Sequence, residues 1–185
     1  MNSLERQLLS CLDALRELPS PGNVRSVRRA VLALRTAADE LDPADPYERG
    51  VGKLYEYVDS SSRAAVADRL HWLSGSRADY ENELGTALAA ARRGGSVYAL
   101  SCQRDALGRL GERIEALPPQ DREPLRCLLS YVYMKSRQAL DLAVCSDWGV
   151  PSMRYRLEMG RENPTVDPFD TAAVSRHGDL AGAGS

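Results

Sequence analysis

Lysine is almost missing from this chain. Lys53 and Lys135 are the only two, and arginine supplies the rest of the positive charge. Histidine occurs twice, at His71 and His177, and phenylalanine once, at Phe169. The cysteines Cys11, Cys102, Cys127 and Cys145 stand far apart, with no C-x-x-C pair and no histidine beside them. That spacing argues against a zinc site built from close ligand pairs, so no metal site is expected. Each cysteine sits in an apolar helical pattern, where a free thiol packs as a small hydrophobe, as suits a reducing cytoplasm. No apolar run approaches transmembrane length and no N-terminal stretch has signal-peptide form, so no membrane contact is expected. Period-two alternation is absent, which excludes a sheet from the expected fold. There is no phosphate-cradling glycine loop and no nucleophile with a base at a recognised spacing. No catalytic residue, no cofactor and no enzymatic activity are therefore expected. Asp79 or Glu81 with Glu83 could share a helix face, but acidic pairs of that kind are usually solvated.

What remains is an ordinary globular composition. The chain has 185 residues, 43% of them apolar and 27% charged, enough for one domain or a body with a small module. The formal net charge is −2. No overall field draws such a chain to nucleic acid, so any contact with DNA must come from a local patch. The preference for arginine fits a GC-rich genome; it also fits bidentate contacts to phosphate or bases.

Helical periodicity runs through the first 117 residues. Leu4, Leu8, Leu12 and Leu15 form one stripe over about 3–18, with Asn2 as a cap and Glu5 as its capping-box partner. Over about 23–41, Val24, Val27, Val31, Leu34, Ala38 and Leu41 recur in alternating steps of three and four, a coiled-coil seam. Arg25, Arg28, Arg29 and Arg35 lie off that seam, as a solvated face or a nucleic-acid stripe. Asp45-Pro46 with Glu48 predicts the start of a helix reaching about Val58. Asp59 to Ser62 then reads as a new cap, for a helix to about Leu73. Further helices are predicted to about Arg93, on Tyr80, Leu84, Leu88 and Ala91, and over 97–117, on Leu100, Leu107, Leu110, Ile114 and Leu117. Gly94-Gly95 and Ser96 separate those two. Short connections imply antiparallel neighbours. The expected fold is all-α: an antiparallel helical bundle over 1–117, a helix-turn-helix module over 118–162 and a flexible tail over 163–185. The break at Pro118-Pro119 sets the first boundary, and a tail poor in core-forming residues sets the second.

The stretch from Leu117 to Asn163 carries the most functional information. Asp121 can cap one helix, with Leu125, Leu128, Leu129 and Val132 inward. Ser136 can cap a second, through Leu140, Val144 and Trp148. Gly149 can supply a left-handed turn residue, and a third helix would start at Pro151 or Ser152. Val144 lies five residues before the glycine, the small Cys145 follows it, and Tyr155 lies six after. Met153, Arg154 and Arg156 would then face outward. This is the layout of a helix-turn-helix, whose second helix usually enters the DNA major groove. An ordinary core hairpin fits the same pattern.

Leu128-Leu129, Tyr131-Val132-Tyr133 and Arg156-Leu157 extend the likeness. About a quarter of the chain resembles sigma-factor region 4 and the related modules of phage late-gene regulators of the antitermination Q type. The resemblance implies a cytoplasmic transcription regulator that binds double-stranded DNA near a promoter and touches RNA polymerase. It further implies that Ser152, Met153, Arg154 and Arg156 face bases or phosphates, and that Lys135, Arg137 and Arg161 contact phosphates. The competing expectation is an all-helical interaction module, such as a chaperone, an inhibitor or an assembly subunit. Its seams could then hold a partner helix or a second copy in a homo-oligomer.

Overall fold

A computed structural model describes residues 3–17, 21–67 and 77–148. All regular structure among them is helical, in seven elements: α1 (Ser3–Glu17), α2 (Pro21–Ala33), α3 (Arg35–Asp39), α4 (Pro46–Ala67), α5 (Arg77–Arg93), α6 (Val97–Glu115) and α7 (Pro119–Trp148). The tail beyond, and with it the boundary set near residue 163, lies outside the described residues, as do the cap Asn2 and the pair His71-Trp72.

The helix starts follow the capping chemistry of the sequence. Asp45 Oδ1 accepts from the backbone N–H of Tyr47 and of Glu48, at 2.7 and 3.1 Å. Glu48 reaches one turn further back than a capping box requires, accepting from the Asp42 N–H at 2.7 Å. The whole Asp42–Pro46 turn is thereby tied to the first turn of α4. Ser96 Oγ caps α6 by accepting from the Ala99 N–H. Gly94 takes the left-handed conformation, φ +72°, that ends α5, a geometry few residues other than glycine adopt.

Three expected breaks are bridged or displaced. Asp59 to Ser62 is helix interior, because α4 runs on to Ala67. Asp59 is held there by Arg28 and Arg63, and Ser61 and Ser62 are fully buried. Small serines let a neighbouring helix approach, and Ser62 Oγ satisfies itself by donating to the Asp59 carbonyl. Ser136 likewise caps nothing, for α7 is continuous for 30 residues through it. By contrast the predicted helix over about 23–41 begins at Pro21 and is interrupted at Leu34. The Leu34 N–H is shared between the carbonyls of Ala30 and Val31, a local tightening of the kind that ends α-helical turns.

The order of contacts along the helices gives their directions. Gly50 lies against Met134, and Glu56 meets Cys127, so α4 and α7 run antiparallel. Gly111 lies against Leu129, and Glu115 pairs with Arg126, so α6 and α7 also run antiparallel. α1 and α2 pack on α4, α5 and α6 pack on α7, and the α4–α7 contact joins the two groups. Leu8, Leu15, Val31, Val51, Leu54, Val58, Leu84, Ile114, Leu125 and Val132 are fully buried in one continuous core. Burial of each such side chain is worth about 1.5–3 kcal/mol. The predicted stripes supply this core. The break at Pro118 falls in the turn between two packed helices, and Leu125, Leu128, Tyr131 and Val132 of α7 lie in the same core as α1. Among the described residues no helix is long and apolar enough to cross a membrane.

Candidate nucleic-acid interface

The helix leading into the predicted glycine turn exists as the last third of α7. Val144 is buried at 8% exposure and Cys145 is half-buried. Leu142, off that line, is 65% exposed. Ser152, Met153, Arg154, Arg156 and Arg161, with Gly149 and Tyr155, lie outside the described residues.

The two remaining predicted contacts lie on α7. Arg137 is half-buried and takes part in a polar or electrostatic contact of its own. Lys135, expected to meet phosphate, is instead the counter-ion of Glu5, with Nζ at 3.1 Å from Oε1. Its ammonium also lies 5.7 Å from the centre of the Tyr47 ring.

Glu5, read from the sequence as a capping-box partner, has no exposed surface at all. Its Oε1 accepts from the Tyr131 hydroxyl at 2.7 Å and its Oε2 from the Tyr47 hydroxyl at 2.7 Å. Burial alone would raise its pKa. The two phenol hydrogen bonds and Lys135 outweigh burial and hold the carboxyl below its ordinary value. A buried charge is tolerable when it is paired and its lone pairs are satisfied. The sequence carried one signal of this: Glu5 lies one residue from Leu4 and three from Leu8, on the edge of the apolar stripe.

A second cluster follows the same design. Glu81 Oε1 accepts from the Tyr57 hydroxyl at 2.6 Å and from Arg77 Nε at 2.7 Å. Arg77 also donates to Ser61 Oγ at 3.1 Å and lies 5.5 Å from the Tyr57 ring centre. Glu81 is 7% exposed, so it is not the solvated acid that the spacing suggested. Burial, then the charge of Glu81, push the Tyr57 hydroxyl well above the ordinary phenol range. Both clusters bind helices together.

A groove of about 460 Å³ lies on the outer surface between α5 and α6. Ala87, Ala90, Ala106, Leu107 and Leu110 line it, with Glu83 and Gln103 at the rim. Gln103 spans it, donating to the Ala87 carbonyl at 2.5 Å. No group of histidine, cysteine and carboxylate side chains among the described residues could hold a metal ion. No family model, no curated protein and no solved structure matches the chain.

Proposed function

We propose that the chain is a DNA-binding transcription regulator of the late-gene activator or antiterminator type, acting with RNA polymerase from the cytoplasm. The body, α1 to α7, is a rigid holder, and the segment after Trp148 is the DNA-contacting element. The observation that supports this reading is the burial of Val144 on a helix that continues to Trp148, immediately before Gly149-Val150-Pro151-Ser152. Ser152, Met153, Arg154 and Arg156 are assigned to the major groove, and Arg161 to phosphate. An arginine reading guanine bidentately contributes about 1–3 kcal/mol of discrimination. Lys135 is not assigned to phosphate, because Glu5 holds it. The test is a mobility-shift assay of the wild type and of Arg154→Ala with Arg156→Ala. Lost or relaxed binding is expected, and unchanged binding on every duplex sinks the reading.

A second reading, an all-helical protein-interaction module without DNA binding, is favoured by the alanine-lined groove and by Tyr98, 80% exposed at the start of α6. Heparin chromatography separates the two. A DNA binder is retained and eluted by salt; a helix-groove binder of net negative charge passes through.

A further inference from the structure

Residues 21–38 contain four arginines and no aspartate or glutamate. Arg28 faces Asp59 and Ser62 of α4, and Leu41, beyond α3, lies 3.7 Å from where a Cβ on Gly52 would stand, so the chain from α2 onward runs back along α4. By helix periodicity Arg25 lies one turn before Arg28, toward the Arg63 end of α4. Arg28 bonds Asp59 from one side, and Arg63 bonds the other carboxylate oxygen at 2.7 Å. Arg25 and Arg29 are exposed, one helical turn apart, and hold no hydrogen bond or ion pair among the described residues. Arg63 is 65% exposed. Arg28 and Arg63 thus share the carboxylate of Asp59, and among the described residues Arg25 and Arg29 stand unpaired beside them, in a chain whose formal net charge is −2.

We infer that this outer face of α2 and α4 is a phosphate-contacting surface for the backbone of double-stranded DNA. The inference rests on the DNA-binding reading above and adds a second contact to it, on the body itself. The shape of the face favours phosphate over a protein partner. The other exposed residues around Arg25 and Arg29 are Gly22, Ser26, Ala30 and Ala33. Small side chains beside the two arginines let a nucleic-acid backbone come close. Leu32, 47% exposed and one turn beyond Arg29, and Val66, 50% exposed and one turn beyond Arg63, border the face. Guanidinium forks match phosphate oxygens bidentately. Arg25 and Arg29 stand about 6 Å apart along the helix axis, a step comparable with two nucleotides of one strand at about 3.4 Å each. Asp59 keeps the guanidiniums of Arg28 and Arg63 fixed in place, so less freedom is lost when a phosphate joins them.

The experiment is a salt titration of duplex binding with the full-length chain. It compares the wild type, Arg25→Glu with Arg29→Glu, and Arg154→Ala with Arg156→Ala, on one random-sequence duplex and on a panel of others. Both α2 positions are exposed and unpaired, so native circular dichroism is expected; Arg25→Gln with Arg29→Gln serves if the reversal disturbs the fold. The α2 variant should bind every duplex about tenfold or more weakly at moderate salt, with the slope of log affinity against log salt flattened by about two. Unchanged affinity and slope in that variant overturn the inference and leave the C-terminal reading standing. Loss in the α2 variant with no effect of the C-terminal pair sinks that reading and supports the surface. A wild type that binds no duplex at low salt overturns both.

Discussion

Tyr131 and Glu5 are separated by 126 residues of sequence and by 2.7 Å in space. This one hydrogen bond ties α1 to α7, the first described helix to the last. Because its acceptor is a buried carboxylate, the bond belongs to the stronger class, and Tyr131→Phe should cost about 2 kcal/mol by urea denaturation. Lys135→Met, which leaves Glu5 buried without its counter-ion, should cost about 3 kcal/mol or more. In a Glu5→Gln background the Tyr131→Phe loss should shrink. Equal losses in both backgrounds would show that the tyrosine acts through packing alone.

The same pair sets the acid limb of stability. The folded pKa of Glu5 is held below its unfolded value. Its contribution is therefore present above the unfolded carboxylate pKa, about 4.3, and is lost as pH falls through the lower folded value. Tyr131 and Tyr57 shift the other way, raised by burial and by their carboxylate partners. Their contribution is present below the free phenol pKa, about 10, and is lost above it. The urea midpoint should be flat from about pH 5 to pH 9 and fall on both sides. Glu5→Gln should lower the plateau and flatten the acid limb; an acid limb as steep as in the wild type contradicts the assignment.

Burial, with the hydrogen bond that Cys127 Sγ donates to Glu56 at 3.2 Å, pushes the Cys127 thiol up to about 12. At pH 8 this leaves very little thiolate. Cys102 lies exposed on α6. Alkylation by iodoacetamide, followed by mass spectrometry, should label Cys102 first, with Cys127 about a hundredfold slower or more. Comparable rates at the two sites would mean that Cys127 does not stay buried against Glu56.

Two helical glycines should respond in opposite directions to alanine. A Cβ on Gly108 meets nothing within 4 Å, so Gly108→Ala should stabilise by about 0.5–1 kcal/mol. A Cβ on Gly50 would stand 2.6 Å from Met134 Cε and 3.2 Å from its Cβ. The thioether end can swing away, but the Met134 Cβ moves only with α7. Gly50→Ala should therefore destabilise by about 1 kcal/mol net, strain exceeding the gain in helix propensity. Thermal melts of both variants decide this, and stabilisation by Gly50→Ala would mean that α4 and α7 are less closely packed than described.

Much of the fold was legible because apolar spacing reports helical faces directly. Val24, Val27 and Val31, Leu84 and Leu88, and Leu107, Leu110 and Ile114 all occupy the core their spacing predicted. The caps at Asp45 and Ser96 were legible for the same local reason: a short polar side chain reaches N–H groups two or three residues away. Ser61, Ser62 and Ser136 misled because a serine satisfies a helix start or a helix–helix contact equally well. Glu5, Glu81 and Lys135 were misplaced because each has a partner on another helix. Of the predicted DNA contacts, only Lys135 and Arg137 lie among the described residues, and Lys135 is held by Glu5.

Local pattern alone determined that this chain is helical, where most helices begin, and which side of each turns inward. Those properties depend on groups within about one turn of each other, so neighbouring letters contain them. Only the tertiary structure decided that α7 runs unbroken through the centre of the body, that a glutamate from α1 sits among two tyrosines and a lysine, and that Arg28 of α2 and Arg63 of α4 meet at one carboxylate. Such pairings depend on distances between segments far apart along the chain, and helix packing alone sets them.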